Sequence, residues 1–486
     1  MSQEILSLHP QRIWYYFSEI LKIPRPSKKE DKIARYLLDF AEEHKLETLR
    51  DDTGNILIRK PACRGYEDRK MVCLQSHIDM VGEKNSNIKF DFEKDPIEAY
   101  VEDGWIKARG TTLGADDGIG VAASLAILES DSIEHGPLEC LFTVDEETGM
   151  TGAFGLQSGF LKSEILLNLD SEDEGQLFIG CAGGKDTTIE IPYLKESVPD
   201  DMSSFLIKVS GLKGGHSGDD IEKGLGNACK ILNRLLWNAA GNFGLRLSKF
   251  DAGNLRNAIA REGHAIVATP VSNGKDLVSY VSSFNQTLKD EYKVTEPGLK
   301  IEISPTDLPS YLIDKKTQSN LLNALYACPH GVIAWSMEIP DFVETSTNLA
   351  SVKTEENLFK ITTSQRSSVE SAKKDIGDRV AATFSLTGGK IISSDGYPGW
   401  TPNPGSEIVA VTEGAYKDLF KEDPEVLAVH AGLECGLIGS RYPEMDMISY
   451  GPEIKGAHSP DERLQIESTQ RFWELTLEVL KRIPKK

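Results

Sequence analysis

Residues 71–79, MVCLQSHID, begin with a short apolar run and continue into polar residues that include a histidine and an aspartate. A short apolar run predicts a strand that is buried on both faces, as in a parallel sheet. Residues 138–147, LECLFTVDEE, and residues 165–170, ILLNLD, repeat this pattern. Small and apolar residues at helical spacing lie between the first two runs, at 118–128. Strands that alternate with helices predict an α/β domain with a mainly parallel, mixed sheet.

The same domain is predicted to include both ends of the chain. Near the N-terminus, Ser27 and Glu30 have the spacing of a capping box, and a helical pattern of apolar residues follows them. Alternation of strands and helices returns after residue 396 and ends in a helix predicted over 467–483. We therefore predict that residues 1–185 and 396–486 fold together.

The segment between these two parts has a different order of elements. From about residue 205 the pattern is strand, helix, two strands, helix and strand, which is typical of a ferredoxin-like α+β unit. Residues 315–395 have a similar but degraded pattern, which allows a doubled unit. We therefore predict that residues 186–395 form an inserted domain.

The composition excludes several classes of protein. The chain has 54 Lys and Arg against 75 Asp and Glu, a formal charge of −21 over 486 residues. This balance argues against nucleic-acid binding and against docking on anionic membranes, since both need a basic face. No apolar run reaches the ~20 residues of a membrane helix, and Glu4 and Arg12 interrupt any N-terminal export signal. The seven cysteines are dispersed and form no CxxC pair, which favours a reduced, cytoplasmic protein.

Acidic and histidine side chains follow the predicted strands at their carboxyl ends, where open α/β sheets bind their ligands. Carboxylates gathered at one edge would repel one another, and a cation would relieve the repulsion. Histidine with several carboxylates is a donor set for zinc, manganese or cobalt. The residues concerned are His77, Asp79, Glu146, Glu147 and Asp170, together with Asp116 and Asp117 in a tight loop before the predicted helix at 118–128.

Each of these groups also has a structural explanation. The histidine–aspartate pair can lie in a solvated loop, and one of the two loop aspartates can cap the helix that follows. Glu146 and Glu147 can be an acidic strand end in water; a regular strand would point them to opposite faces, so it must break for both to reach one site. His216, among glycines in residues 211–218, fits a turn, and His458 fits a surface loop. Each motif alone leaves both explanations open.

Taken together, the motifs occur in the order seen in the co-catalytic di-zinc peptidases, a family that includes glutamate carboxypeptidase-like and carnosinase-like enzymes. Residues 110–116, GTTLGAD, residues 430–436, HAGLECG, and residues 442–447, YPEMDM, resemble bacterial dipeptidases of that family. The likeness spans nearly the whole chain, which is identified as a member on this basis. It implies a di-zinc peptidase-like catalytic domain, with the inserted domain serving as a lid and in dimer-like contacts.

The resemblance also implies two divalent metal ions per chain, with zinc as the preferred ion and cobalt or manganese as alternatives. Asp116 would bridge the ions, Asp79 would orient His77, and the peptide bond after Asp116 would be cis. Glu146 would be the general base, and it is the resemblance rather than any spacing that selects it over Glu147. The other implied ligands are His77, Glu147, Asp170 and His458, and the implied substrate-binding residues are His216, Asn257 and Arg366.

The implied activity belongs to peptide catabolism. It is the hydrolysis of dipeptides with a free N-terminus, including Xaa-His and β-alanyl-histidine (carnosine-like) substrates, by a water that two metal ions activate and Glu146 deprotonates. The inserted domain either mimics a dimer partner within one chain or pairs with a second copy in a homodimer. Two alternatives stay open: a same-fold amidohydrolase that deacylates N-acylated amino acids, and a non-catalytic metal- or peptide-binding protein.

Overall fold

The computed structural model describes residues 4–486. Its α-helices are α1 (Gln11–Ile20), α2 (Asp31–Glu43), α3 (Ala115–Glu129), α4 (Glu146–Gly149), α5 (Thr151–Gly155), α6 (Ala228–Phe243), α7 (Gly274–Glu291), α8 (Lys315–Ala327), α9 (Glu370–Ser385), α10 (Glu407–Phe420), α11 (Glu434–Arg441) and α12 (Ile466–Arg482). Its strands are β1 (Glu47–Arg50), β2 (Ile56–Lys60), β3 (Val72–His77), β4 (Ala99–Glu102), β5 (Trp105–Ala108), β6 (Leu138–Thr143), β7 (Ile165–Asn168), β8 (Gln176–Cys181), β9 (Gly183–Pro192), β10 (Lys195–Glu196), β11 (Met202–Ser210), β12 (Arg246–Gly253), β13 (Gly263–Pro270), β14 (Lys300–Thr306), β15 (Leu312–Ile313), β16 (Gly331–Trp335), β17 (Val343–Thr354), β18 (Leu358–Ser367), β19 (Lys390–Ser393), β20 (Glu425–Val429), β21 (Asp446–Ser449), β22 (Ile454–Lys455) and β23 (Arg463–Gln465).

The chain divides into two compact units. The first contains residues up to Cys181 together with 400–428 and 433–486, and the second contains 182–399 and 429–432. The predicted domain junctions, after residues 185 and 395, lie within four residues of these divisions. The assignment of residues 429–432 to the second unit has no signal in the sequence pattern.

An eight-stranded sheet forms the framework of the first unit, in the order β1-β2-β6-β3-β7-β21-β8-β20. The pairs β3–β6, β3–β7 and β7–β21 are parallel, whereas β1–β2, β2–β6 and β8–β21 are antiparallel. Every residue of β3 and β6 is buried, as expected for strands covered on both faces. The predicted α/β class with a mixed sheet is confirmed, and the parallel pairs lie at the centre of the sheet.

Helix α3 packs against α1 and β3. Its residues from Gly118 to Leu128 are all buried, which explains why this stretch is small and apolar on every face. Among residues 4–486, none of the helices combines the length and the apolar character that crossing a bilayer requires.

Helix α2 does not use the predicted capping box. It begins at Asp31, and no side chain caps its first turn. The Oε1 atom of Glu30 instead accepts hydrogen bonds from the backbone N–H groups of Lys28, at 2.8 Å, and of Asp145, at 3.1 Å. The capping-box prediction is wrong because a distant segment of the chain supplies the partner of this glutamate.

The second unit is built on a nine-stranded sheet in the order β14-β11-β13-β12-β17-β18-β9-β19, with β16 beside β17. Strands β11 to β14 lie in the spatial order fourth-first-third-second, which is the ferredoxin-like arrangement. Strands β9, β17, β18 and β19 repeat that order. The second ferredoxin-like set therefore has β9 as its first strand, and β9 precedes β11–β14 in the chain. The sequence pattern had placed the whole second set within residues 315–395.

Candidate metal centre and active site

The site in the first unit is formed by the carboxyl ends of three neighbouring strands. His77 is the last residue of β3, Glu146 and Glu147 follow β6, and Asp170 follows β7. Because β6, β3 and β7 are adjacent and parallel, their carboxyl ends meet at one edge of the sheet, where α/β proteins bind ligands. Asp116, at the start of α3, and His458, in the loop before β23, reach the same edge.

Two imidazoles face different oxygens of Asp116. His77 Nε2 lies 2.9 Å from Asp116 Oδ1 and 3.3 Å from Asp170 Oδ1. His458 Nε2 lies 3.2 Å from Asp116 Oδ2 and 2.9 Å from Glu147 Oε2. In each group of three residues, the potential donor atoms lie within 4.8 Å of one another. Asp116 thus belongs to both groups, with one carboxylate oxygen for each.

The backbone before α3 presents Asp116 to both groups. Gly114 has a φ of +72°, in the left-handed region that favours glycine, and Asp116 is extended, with φ −77° and ψ 114°. The Asp116–Asp117 peptide bond is cis, as the family resemblance implies. Asp117 Oδ1 accepts a hydrogen bond from the Gly120 N–H at 3.1 Å. The helix-capping explanation therefore applies to Asp117, whereas Asp116 faces the two histidines.

Asp79 connects His77 to the segment that carries the two glutamates. Its side chain is fully buried, and its Oδ1 lies 3.4 Å from His77 Nδ1. The same carboxylate accepts hydrogen bonds from the backbone N–H groups of Glu146, at 2.9 Å, and Glu147, at 3.3 Å. A carboxylate behind the second ring nitrogen is the usual companion of a metal-ligating histidine.

The charges of the two groups explain why a cation suits them. Burial, with the nearby carboxylates of Asp116 and Glu147, raises the pKa of Asp170 to about 7. Hydrogen bonds to Asp116 and Glu147 raise the pKa of His458 to about 11. With protein groups alone, the cluster therefore retains extra protons, which a divalent cation would replace. Two imidazoles and three carboxylates fit zinc, cobalt or manganese.

Glu146 belongs to neither donor group. Strand β6 has ended before it, since Asp145 has a φ of +50° and Glu146 begins the short helix α4. This is the break that the adjacent glutamates require. Burial, with the nearby carboxylates of Asp170 and Glu147, raises the pKa of Glu146 well above its usual range. Its carboxyl group lies close to members of both donor groups, which suits a general base at this position.

Three buried charged residues near the site were missed by motif reasoning. Glu434, which is 1% exposed, accepts hydrogen bonds from side chains of β3 and β6. Arg25 donates to backbone oxygens of the loop after β3, and Glu462 accepts from the backbone of residues 113–116. Glu462 lies four residues after His458 and Glu434 lies in the HAGLECG stretch, so proximity to a motif could have found both. No sequence signal marks Arg25.

A third acidic group consists of Glu30, Asp79 and Asp145. Its members already have hydrogen-bond donors: Asp79 accepts from two backbone N–H groups, and Glu30 accepts from the Asp145 N–H. Asp145 in turn accepts from the hydroxyls of Thr148 and Thr151. Because N–H and O–H groups compensate these carboxylates, the group holds chain segments together.

The three predicted substrate-binding residues lie in the second unit. His216 Nδ1 lies 2.8 Å from Asp219 Oδ2. The side chain of Asn257 is exposed, and its backbone oxygen accepts a hydrogen bond from the residue after His216 at 2.8 Å. Arg366 is 8% exposed and donates through Nη1 to the Tyr397 hydroxyl at 3.0 Å.

Arg366 lies near a carboxylate, a hydroxyl and an imidazole, those of Asp219, Tyr397 and His430. Its Nε atom has no hydrogen-bond partner among residues 4–486. Burial, with the positive charge of Arg366, lowers the pKa of His430 to about 3, and His430 Nε2 lies 2.7 Å from Ser346 Oγ. His430 was not predicted as a site residue, although it opens the HAGLECG stretch. A buried guanidinium beside a neutral imidazole is suited to an anionic ligand.

A mixed α/β sheet that gathers histidines and carboxylates at the carboxyl ends of its parallel strands is the arrangement expected of a metal-dependent enzyme. The sequence profile described as Peptidase family M20/M25/M40 matches residues 73–482. The chain belongs to this family, and the resemblance noted in the sequence is confirmed.

Several relatives are similar over their full length. The chain is 44% identical to the cytosol non-specific dipeptidase of Escherichia coli strain K12 over 483 residues, which cover 99% of this chain and 100% of the relative. It is 42% identical to the crystal structure of aminoacylhistidine dipeptidase from Vibrio alginolyticus, with a TM-score of 0.94 and coverage of 99% and 98% of the two chains. Human carnosine dipeptidase 1 shares the fold, with 12% identity, a TM-score of 0.51 and coverage of 99% and 98%.

Proposed function

We propose that this chain is a metal-dependent dipeptidase, a hydrolase that acts on peptide bonds. The main observation behind the proposal is that the two carboxylate oxygens of Asp116 lie 2.9 Å from His77 Nε2 and 3.2 Å from His458 Nε2. Two relatives named as dipeptidases, at 44% and 42% identity over nearly the whole chain, support the reaction. The substrates are dipeptides with a free N-terminus, including Xaa-His and β-alanyl-histidine.

Two divalent cations would occupy the two donor groups, and zinc is preferred to cobalt or manganese. His77, Asp116 and Asp170 would hold one, and Asp116, Glu147 and His458 would hold the other. When bound, such ions polarise the scissile carbonyl and lower the pKa of a water molecule.

Glu146 carries out the proton transfers of the reaction. It takes a proton from the attacking water and delivers it to the leaving nitrogen. Asp79 is a positioning residue, because it holds the His77 ring and the backbone N–H of Glu146.

Residues of the second unit recognise the rest of the substrate. Arg366 pairs with the C-terminal carboxylate of the dipeptide, since its planar guanidinium matches two oxygens and carries an unpartnered Nε. His216 donates to the oxyanion that forms at the scissile carbonyl, and Asn257 contacts the peptide. We also propose a cytoplasmic location, which is supported by the cytosol dipeptidase among the relatives.

A substrate panel tests this function directly. Free dipeptides, their N-acetyl derivatives and tripeptides are assayed with and without a chelator. Free dipeptides, including β-alanyl-histidine, should be cleaved fastest. N-acetyl dipeptides, which lack the charged α-ammonium group, should be cleaved about 10–100-fold more slowly, and the chelator should stop all cleavage.

The panel also separates the alternatives. Faster cleavage of N-acetyl amino acids than of free dipeptides would make the chain a deacylase. No cleavage of any compound by protein loaded with zinc, cobalt or manganese would make it a binding protein. Undiminished cleavage after complete demetallation would end the metal-dependent proposal.

Arg366→Lys tests carboxylate recognition. The lysine keeps the charge but loses the planar fork, so kcat/KM for dipeptides should fall by about 10–100-fold. The same variant should cleave dipeptide amides, which lack the carboxylate, at close to the unmodified protein's rate. Arg379→Lys is the matched control, because Arg379 is exposed and pairs with Asp375 on α9. Equal losses on dipeptides and their amides would contradict the assignment.

A further inference from the structure

The side chain of Glu462 is buried, at 3% exposure, four residues after His458. Its Oε2 accepts hydrogen bonds from the backbone N–H groups of Leu113, at 2.7 Å, and Gly114, at 3.0 Å. Its Oε1 accepts from Ala115, at 2.7 Å, and from Asp116, at 3.4 Å. One carboxylate therefore receives four consecutive N–H groups of the segment that ends in Asp116.

This segment has little regular structure to hold it. Gly114 is left-handed and Asp116 is not helical, so the N–H groups of residues 113–116 lack the partners that a helix or strand would provide. Hydrogen bonds from N–H groups to a carboxylate are stronger than those to neutral acceptors. Removal of the charge would leave several buried donors without a strong acceptor.

A second buried charge holds the opposite side of the same segment. Arg25, at 2% exposure, donates to the backbone oxygen of Gly114 and to those of Ile78 and Asp79. The Gly114 residue is thus held at its N–H by Glu462 and at its C=O by Arg25. These two side chains connect the Asp116 segment to the loop that follows His77 and to the loop that carries His458.

We propose that Glu462 is a positioning residue that sets the Asp116 segment relative to His458, and thereby keeps Asp116 shared between the two donor groups. It touches neither substrate nor the reacting atoms. The role in metal binding rests on the proposed function, whereas the role in ordering residues 113–116 does not, so the two are tested separately.

Amide hydrogen exchange of the metal-free protein tests the ordering role. In Glu462→Gln, exchange in residues 113–116 should become about tenfold faster or more, because each N–H loses a charged acceptor. Exchange in β3 and β7 should stay unchanged. Asp461→Asn is the matched control, since Asp461 is the exposed neighbour of Glu462 and should leave every segment as in the unmodified protein.

Competition between the protein and a chelator for zinc tests whether Glu462 affects metal binding by the two donor groups. The dissociation constants for zinc should rise by about 10–100-fold in Glu462→Gln, as for other groups that orient metal ligands. Excess zinc should restore much of the lost dipeptide cleavage, which a misfolded variant would not allow. If Glu462→Gln does not fold, Glu462→Asp keeps the charge on a shorter side chain, and the same local increase in exchange is expected.

Unchanged exchange in residues 113–116 of a folded variant would overturn the proposal. So would faster exchange spread evenly over the first unit, which would indicate a general loss of stability. A lack of dipeptide cleavage by the unmodified protein would end the proposed function, but the exchange and zinc measurements would still decide the role of Glu462.

Discussion

Replacement of Glu146 by alanine is expected to lower the rate of dipeptide cleavage by about 10²–10⁴-fold, the usual contribution of a positioned general base. Metal content should persist, because Glu146 belongs to neither of the donor groups around Asp116. The loss should appear in kcat more than in KM, since the proton moves only in the chemical step. Steady-state kinetics with metal analysis of the same samples measures both quantities.

Glu164→Gln provides the control for this experiment. Glu164 is exposed and precedes β7 at the end of the strand opposite to the site, so its replacement should change neither rate nor metal content. If Glu146→Ala keeps its turnover, Glu146 is not the base. If the variant loses its metal together with its activity, Glu146 contributes to metal binding, and its proposed role as a base outside the two donor groups is wrong.

Asp116→Asn is expected to disturb both of the proposed metal ions at once. The two carboxylate oxygens of Asp116 face different imidazoles, and a neutral amide is a much weaker ligand than a carboxylate. Metal content should fall from two ions per chain toward none under dialysis. Loss of several kcal/mol of transition-state stabilisation should reduce cleavage by roughly 10³-fold or more.

Two further variants make this prediction specific. His458→Ala removes a donor from one group only, so one ion per chain should remain on His77, Asp116 and Asp170. Asp117→Asn changes the neighbouring buried aspartate, whose replacement can still accept the hydrogen bond from Gly120, and both ions should stay. Retention of two tightly bound ions by Asp116→Asn would contradict the bridging role.

The fold class follows from patterns that are local in the chain. Apolar runs such as residues 71–79 predict buried strands, and the small apolar stretch at 118–128 predicts a helix that is covered on all sides. These patterns depend on burial and on side-chain periodicity, which neighbouring residues encode together. They also predict that polar residues at the ends of parallel strands meet, and the structure brings His77, Glu147 and Asp170 to one edge of the sheet.

Local patterns fail where a distant segment competes for the same group. Ser27 and Glu30 have the spacing of a capping box, but the glutamate accepts from Asp145, 115 residues away. Of the two adjacent aspartates, Asp117 caps the helix and Asp116 does not, and the sequence treats both alike. The choice depends on backbone conformation at Gly114 and on its partners in space.

The amino-acid order therefore determines where strands and helices form, and the motifs it contains place the chain in its family. Tertiary structure decides which side chains meet: His458 reaches Asp116 across 342 positions, and Glu462 reaches Leu113 across 349. Arg25 has no motif at all, yet it is buried beneath the Asp116 segment. The physical reason is that burial patterns repeat along the chain, whereas a hydrogen bond to a buried charge needs a partner that only the packed elements bring within reach.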